Sequence, residues 1–288
     1  MSLFVHVGYA KAASTFLQER VFARAAGIRY LGKTREDYPD WLLRWHYADD
    51  LEFARSRDAL RERLDALRDP ELPSVLSSEI FTMHGGGAAA QADRLHAVAP
   101  DASVIVVVRD PIDRLVSFYR HLVERDGLHR PLEECLEWRR TPHVFYKRKV
   151  AYLADSLYDE WIGYYRDRFD GRICVLRHED LSSAPERFFG TMSAFLGVPM
   201  DVAALAAEAA GPRENEGPAP DTVPRRRLEN ALDTVRPYLA DAPRGAEAAA
   251  AVLDTVTAAG ETLVPPLVSA DLRERLVDYY RGRCAGYY

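Results

Sequence analysis

A lysine and two hydroxyl residues lie close together near the start of the chain, where their chemistry suits an anion. Residues 8–16 read Gly-Tyr-Ala-Lys-Ala-Ala-Ser-Thr-Phe, which places Lys11, Ser14 and Thr15 within five positions. The apolar run Leu3–Val7 precedes them and predicts a strand, and a helical pattern of apolar residues follows at once. A helix N-terminus presents backbone N–H groups and the positive end of the helix dipole. The segment is therefore predicted to bind a phosphate-like group, to which Lys11 adds a full charge.

A second segment with anion-binding chemistry follows a strand in the middle of the chain. Val104–Val108 is a continuous apolar run, typical of a strand that is buried on both faces. Arg109 comes directly after it, and Asp110 followed by Pro111 predicts a helix start, with an N-cap and a first-turn proline. Ser117 lies two turns into that helix. An arginine fork and a serine hydroxyl in this arrangement can hold one phosphate together.

The first loop differs from the Walker A loop of kinases and nucleotide hydrolases. Walker A places its lysine directly before the hydroxyl residue, after a second glycine, whereas Lys11 precedes Ser14 by three positions with no glycine between them. The loop alone leaves open an ordinary strand-to-helix turn with a surface lysine. A P-loop kinase or hydrolase, which would need an acidic ligand for Mg²⁺, remains the alternative function. A non-catalytic module that keeps a nucleotide pocket is a third interpretation.

Together the two segments resemble the sulfotransferases that use 3′-phosphoadenosine-5′-phosphosulfate (PAPS). That family has a 5′-phosphosulfate loop, Lys-x-Gly-[Ser/Thr]-Thr-aromatic, after its first strand, and residues 11–16 of this chain match it except at the glycine. The family also has a 3′-phosphate segment, in which Arg-x-Pro is followed by a serine eight residues after the arginine. A third segment, Val175–Leu181, is similar to one common in bacterial members. The resemblance covers roughly residues 3–200.

The resemblance implies a role for each matching residue. Lys11 would stabilise the leaving 5′-phosphate, Phe16 would either stack on adenine or fill the core, and Arg213 is a further candidate for the 3′-phosphate. The implied donor-binding residues are Ala12, Ala13, Ser14, Thr15, Phe16, Arg109, Ser117 and Arg213. The donor would be PAPS, its product adenosine 3′,5′-bisphosphate (PAP), and no metal would be required. Ala13 stands where the family has glycine, so a backbone with positive φ there would be strained.

The predicted general base lies after another short strand. Val75-Leu76 is followed by Ser77-Ser78-Glu79. In the cytosolic sulfotransferases the corresponding strand ends in Lys-Thr-His, with the histidine as base, whereas other branches use a glutamate. The resemblance therefore implies Glu79 as the general base, with His84 as the alternative, and the lysine of the cytosolic pattern is missing at Ser77.

The order of elements predicts a three-layer α/β/α fold with a central parallel sheet and a P-loop-like phosphosulfate loop. We expect core strands at residues 3–8, 74–78, 103–108 and 173–176, and a capping box at Ser183–Glu186 that opens the next helix. A single domain is expected over 1–288, with a helical C-terminal portion over about 222–288.

Composition limits the partners of the chain. The 288 residues carry a formal net charge of −6, which argues against binding nucleic acid through a basic surface. Three widely spaced cysteines form neither a disulfide framework nor a zinc pattern. With neither a signal peptide nor a membrane span in the sequence, we expect a cytoplasmic protein. The expected acceptor is a hydroxyl, less readily an amine, on a carbohydrate or small metabolite, and the sequence does not predict an oligomeric state.

Overall fold

The structure, a computed structural model, describes residues 2–33, 39–82, 87–138, 151–211, 222–239, 247, 267–284 and 286–287. The strands are β1 (Leu3–His6), β2 (Arg29–Tyr30), β3 (Ser74–Ser77), β4 (Ser103–Val108), β5 (Leu136–Glu137), β6 (Ala151–Tyr152) and β7 (Ile173–Arg177). The α-helices are α1 (Ser14–Phe16), α2 (Asp40–Tyr47), α3 (Asp50–Leu67), α4 (Gly87–Val98), α5 (Pro111–Arg125), α6 (Tyr158–Arg168), α7 (Asp180–Ser183), α8 (Pro185–Leu196), α9 (Val202–Ala209), α10 (Val223–Leu239) and α11 (Ala270–Tyr280). Helix α1 continues as a π-helix over Leu17–Phe22, and Glu79–Phe81 forms a 3₁₀ turn.

Five parallel strands form the central sheet, in the order β2-β3-β1-β4-β7, and helices flank it. This confirms the predicted α/β fold. Strand β4 is the most apolar segment, and every residue from Val104 to Val108 is fully buried, as expected for a strand covered on both faces. The chain passes from β1 to the edge strand β2, returns to β3 beside β1, and then crosses to β4 on the other side of β1. In open parallel sheets, ligands bind beyond the carboxyl ends of the strands at such a crossing point.

The predicted start of α5 is confirmed in detail. The carboxylate of Asp110 accepts hydrogen bonds from the backbone N–H groups of Ile112, at 2.9 Å, and Asp113, at 2.8 Å, and Pro111 is the first helical residue. An N-cap of this kind stabilises a helix by about 1 kcal/mol. It also fixes where the strand ends and the helix begins, and therefore where Arg109 lies.

The predicted capping box at Ser183–Glu186 is wrong. Ser183 is the last residue of the one-turn helix α7, its backbone N–H and its hydroxyl both bond to the carbonyl of Glu179, and α8 begins at Pro185. The N-cap of α8 is Ala184, which has no side-chain cap. The preceding helical turn thus takes the serine that the pattern assigned to the next helix.

Helix α10 is anchored on α5 by a buried amide. The Asn230 side chain donates to the backbone carbonyls of Val123, at 2.8 Å, and Leu128, at 2.9 Å. Further along the chain, the Tyr280 hydroxyl at the end of α11 donates to the carbonyl of Leu153 at 3.1 Å. No helix among the described residues is both long and apolar enough to cross a membrane.

Candidate functional site

The loop after β1 and the arginine after β4 meet at the carboxyl edge of the sheet. Because β1 and β4 are hydrogen-bonded neighbours, their following residues emerge side by side. The Arg109 guanidinium donates from Nη1 to the backbone carbonyl of Lys11 at 2.9 Å. The carbonyl of Arg109 in turn accepts a 2.8 Å hydrogen bond from the hydroxyl of Tyr158 on α6. The two predicted anion-binding segments are therefore parts of one surface, held together by direct contact.

The loop over residues 8–13 has an unusual backbone. Lys11 and Ala13 both have positive φ, 73° and 63°, a region that favours glycine. At Gly8 an added Cβ would lie 2.5 Å from Ser14 Oγ and 2.7 Å from His6 Cε1, so no larger residue fits there without rearrangement. The Ser14 hydroxyl points inward and donates to the carbonyl of Tyr9 at 2.9 Å. The strain anticipated at Ala13 is thus present, and the Ser14 side chain closes the loop.

Replacing Ala13 with glycine should relieve this strain. A left-handed conformation costs an L-residue about 1–2 kcal/mol, part of which is offset by the larger entropy of glycine in the unfolded chain. We expect Ala13→Gly to raise the free energy of unfolding by about 0.5–1 kcal/mol in urea denaturation. Its matched control is Ala12→Gly, at the adjacent, fully buried alanine without positive φ, which should destabilise the protein. Equal destabilisation by both variants would contradict the strain at Ala13.

A buried polar network supports the loop from below. Ser77, at the end of β3, lies 2.8 Å from His6 Nδ1 and accepts a 3.0 Å hydrogen bond from the side chain of Gln18 in the π-helix. Burial lowers the pKa of His6 to about 3, so the imidazole is neutral above that pH. From the turn after β3, the Thr82 hydroxyl donates to the carbonyl of Gly8 at 2.6 Å. These hydrogen bonds connect the ends of β1 and β3 and the loop over residues 8–13.

Positive charge is concentrated around Lys11. Burial lowers the pKa of Lys11 from its ordinary value; the nearby carboxylate of Glu79 opposes that change, and the guanidiniums of Arg109, Arg125 and Arg120 reinforce it. Burial also lowers the pKa of His121 on α5, with a further contribution from Lys11. Three guanidiniums thus repel the half-buried ammonium of Lys11. A bound polyanion would relieve this repulsion, so the residues fit a phosphate-bearing ligand.

Glu79 lies at the same edge, two residues after the end of β3. It is the first residue of the 3₁₀ turn Glu79–Phe81, and Ser78 is the N-cap of that turn. The Glu79 carboxylate forms a 3.0 Å salt bridge with the ammonium of Lys33. The Glu79 side chain is 19% exposed and the Lys33 side chain 27%. Its electrostatic interaction with Lys11 brings the predicted base and the predicted phosphate-side cation into one site. The contact with Lys33 was not predicted, because the two residues are 46 positions apart.

A buried hydrogen-bonded chain fixes the residue before Glu79. The Ser78 hydroxyl lies 2.9 Å from His46 Nε2, and His46 Nδ1 lies 3.1 Å from Gln91 Oε1. The Gln91 amide also donates to the carbonyl of His46 at 3.2 Å, which leaves Oε1 to accept from Nδ1–H. The imidazole Nε2 of His46 therefore accepts a hydrogen bond from the Ser78 hydroxyl. Although a serine, a histidine and an amide are aligned, Ser78 is fully buried, so the chain serves to hold the turn.

The other predicted site residues have different surroundings. Ser117 is half-buried on α5, and Arg114, one turn before it, points into the protein, where its Nε donates to Ser156 Oγ at 2.8 Å. Phe16 is half-buried with its ring 6.3 Å from that of Phe189.

Helix α1 has Ala13 as N-cap with no side-chain hydrogen bond, so neither Ser14 nor Thr15 caps it. His84 and Arg213 lie outside the described residues. Within the described ranges, no group of three or more His, Cys, Asp or Glu side chains could hold a metal ion.

Comparisons with known proteins bear on the family of the chain. A model described as the sulfotransferase family matches residues 4–202. Solved structures that resemble the chain include a sulfotransferase from Alicyclobacillus acidocaldarius, at 22% identity and a TM-score of 0.49, over 83% of this chain and 93% of that one. Mouse sulfotransferase SULT7A1 complexed with PAP matches at 13% identity and a TM-score of 0.37, over 73% of this chain and 64% of that one. No curated protein matches the chain. Because the family model spans well over half of the 288 residues, the chain belongs to the sulfotransferase family.

Proposed function

We propose that this protein transfers a sulfuryl group from PAPS to a hydroxyl acceptor. The observation that carries the proposal is the half-buried ammonium of Lys11 among Arg109, Arg120 and Arg125, at the carboxyl edge of β1 and β4. Such an excess of positive charge suits a ligand with several phosphate or sulfate groups. The donor supplies the sulfuryl group and, in its 5′-phosphate, the leaving group.

Each part of the site has a distinct task in this reaction. Arg109, with Ser117 on the following helix, binds the 3′-phosphate and orients the donor. The loop over residues 11–15 holds the 5′-phosphosulfate through its backbone and Thr15. Lys11 stabilises the negative charge that develops on the 5′-phosphate as the bond between sulfur and the bridging oxygen breaks, because the leaving phosphate keeps the electron pair.

Glu79 acts as the general base on the acceptor side. Its carboxylate takes the hydroxyl proton as the acceptor oxygen forms its bond to sulfur, which lies in line with the leaving oxygen, as in phosphoryl transfer. The electrostatic interaction between Glu79 and Lys11 supports this division, because base and leaving-group cation must lie on either side of the transferred group. The proposed acceptor is a carbohydrate or small metabolite, and none of these steps uses a metal ion.

The donor site is tested by comparing two nucleotides that differ only in the 3′-phosphate. We expect PAP to bind more tightly than adenosine 5′-monophosphate and to raise the melting temperature by mass action. Arg109→Ala should weaken PAP binding by about 2–5 kcal/mol, the loss expected when a desolvated charge partner is removed. Isothermal titration calorimetry on the native protein and the variant measures both effects.

The monophosphate is also the control for damage to the loop. Because Arg109 bonds to the carbonyl of Lys11, its removal can disturb the 5′-phosphate site as well. If Arg109→Ala removes a 3′-phosphate contact, it weakens PAP binding far more than binding of the monophosphate. Ser117→Ala should also weaken PAP binding selectively, but by less. Equal affinity of the native protein for both nucleotides would show that no 3′-phosphate site exists.

A further inference from the structure

We propose that Lys33 is a positioning residue that stabilises the carboxylate of Glu79 and orients it toward the acceptor. The inference rests on the proposed function, since it assigns to Lys33 a task in supporting the base. Its starting point is the 3.0 Å contact between Lys33 Nζ and Glu79 Oε2. Both side chains are largely shielded from water, where an ion pair is stronger than at an exposed surface.

The backbone around Lys33 is held firmly in place. Strand β2 pairs with β3 through Tyr30 and Val75, and the backbone N–H of Leu31 donates to the carbonyl of Val75 at 2.8 Å. At Gly32 an added Cβ would lie 2.6 Å from the carbonyl oxygen and 2.7 Å from the nitrogen of Ser77. The chain therefore passes directly against the end of β3, two residues before Glu79.

The carbonyl of Lys33 itself is fixed by an aromatic side chain. The Tyr30 hydroxyl donates to it at 2.6 Å. With its carbonyl bonded and the preceding glycine packed on Ser77, Lys33 has a fixed backbone from which its side chain reaches the Glu79 carboxylate. The ion pair follows from backbone packing, which is the arrangement that a site needs to hold a side chain accurately.

Among the residues that the structure describes, the titratable groups that interact with Glu79 come from three elements. Lys33 approaches from the loop after β2, Lys11 from the loop after β1, and His121 from α5. The charge of Lys11 is needed at the leaving phosphate, whereas the ammonium of Lys33 touches the carboxylate directly. Only four of the 38 basic residues of the chain are lysines, and two of them interact with this one glutamate.

The chemical consequence concerns the protonation state of the base. A glutamate that must accept a proton has to be ionised before the reaction, and a neighbouring ammonium favours the ionised form.

The test is a pH titration of the Glu79 carboxyl group by NMR in glutamate-labelled protein, with the signal assigned from its absence in Glu79→Gln. We expect Lys33→Met, which keeps the length but removes the charge, to move the titration midpoint to higher pH. Lys33→Arg should restore it. The matched control is Arg187→Met, which removes a remote ion pair with Asp180 and should leave the Glu79 midpoint unchanged.

The kinetic readout uses PAPS with whichever acceptor the native protein sulfonates. The acid limb of the kcat/KM profile should move with the NMR midpoint in Lys33→Met, while PAP binding stays unchanged. An identical Glu79 midpoint in the native protein and Lys33→Met overturns the role of Lys33. Absence of sulfuryl transfer by the native protein overturns the proposed function instead, and the NMR titration distinguishes the two failures because it needs no turnover.

Discussion

Glu79→Gln should lower kcat by about 10²–10⁴-fold, because it removes the proposed general base while keeping the size of the side chain. Binding of PAP should be nearly unchanged, since the proposed contacts of the donor lie in the loop after β1 and at Arg109. The fall in rate at acid pH should also disappear, as the group responsible no longer titrates. Steady-state kinetics over a pH series, combined with calorimetric titration of PAP, measures all three quantities.

Two further variants separate the role of Glu79 from that of its neighbours. Glu79→Asp keeps a carboxylate one methylene further back and should retain part of the activity that Glu79→Gln loses. His84, the other base implied by the sequence, follows five residues later. If Glu79→Gln keeps near-normal turnover while His84→Ala abolishes it, the base is His84 and the assignment of Glu79 is wrong.

Lys11→Met should reduce kcat by about 10²–10³-fold, the range found when a single preorganised group is removed from a developing negative charge. The effect should be larger on kcat than on the affinity for PAP, because the charge on the leaving phosphate grows in the transition state. Lys11→Ala should behave in the same way. Single-turnover kinetics with PAPS measures the chemical step directly.

The choice of methionine controls for the backbone of the loop. Lys11 has φ of 73°, and since lysine, methionine and alanine all carry a Cβ, neither variant changes that strain. The hydrogen bond from Arg109 also reaches the backbone carbonyl of Lys11, which remains in both. A kcat within about tenfold of the native value would mean that Lys11 does not stabilise the leaving group.

Local sequence patterns predicted the elements that carry the phosphate-side residues. The continuous apolar run before Arg109 forms the buried strand β4, and Asp110 and Pro111 begin α5 as expected. The missing family glycine at Ala13 correctly indicated backbone strain, since the φ requirement belongs to the loop whatever residue occupies it. Patterns of this kind are local, and each depends on a few consecutive residues.

Contacts between distant segments could not be predicted in this way. Strand β2 has two residues and is defined by its pairing with β3, so its sequence gives no periodic signal. Lys33 reaches Glu79 because that pairing brings Gly32 against Ser77. The Ser78–His46–Gln91 chain joins three separate elements in the same manner. The proposed acceptor side of the site is built from such long-range contacts, whereas the residues of the proposed donor side lie in motifs.

The most direct test of the account is transfer of labelled sulfate from PAPS to a panel of glycans, phenols and small hydroxylated metabolites in the presence of a metal chelator. We expect a labelled acceptor and one PAP per transferred group, with turnover unaffected by the chelator. We also expect that both Lys11→Met and Glu79→Gln lose this turnover. Absence of label on every acceptor, together with Mg²⁺-dependent consumption of ATP in a parallel assay without the chelator, would contradict sulfuryl transfer and favour a P-loop kinase or hydrolase.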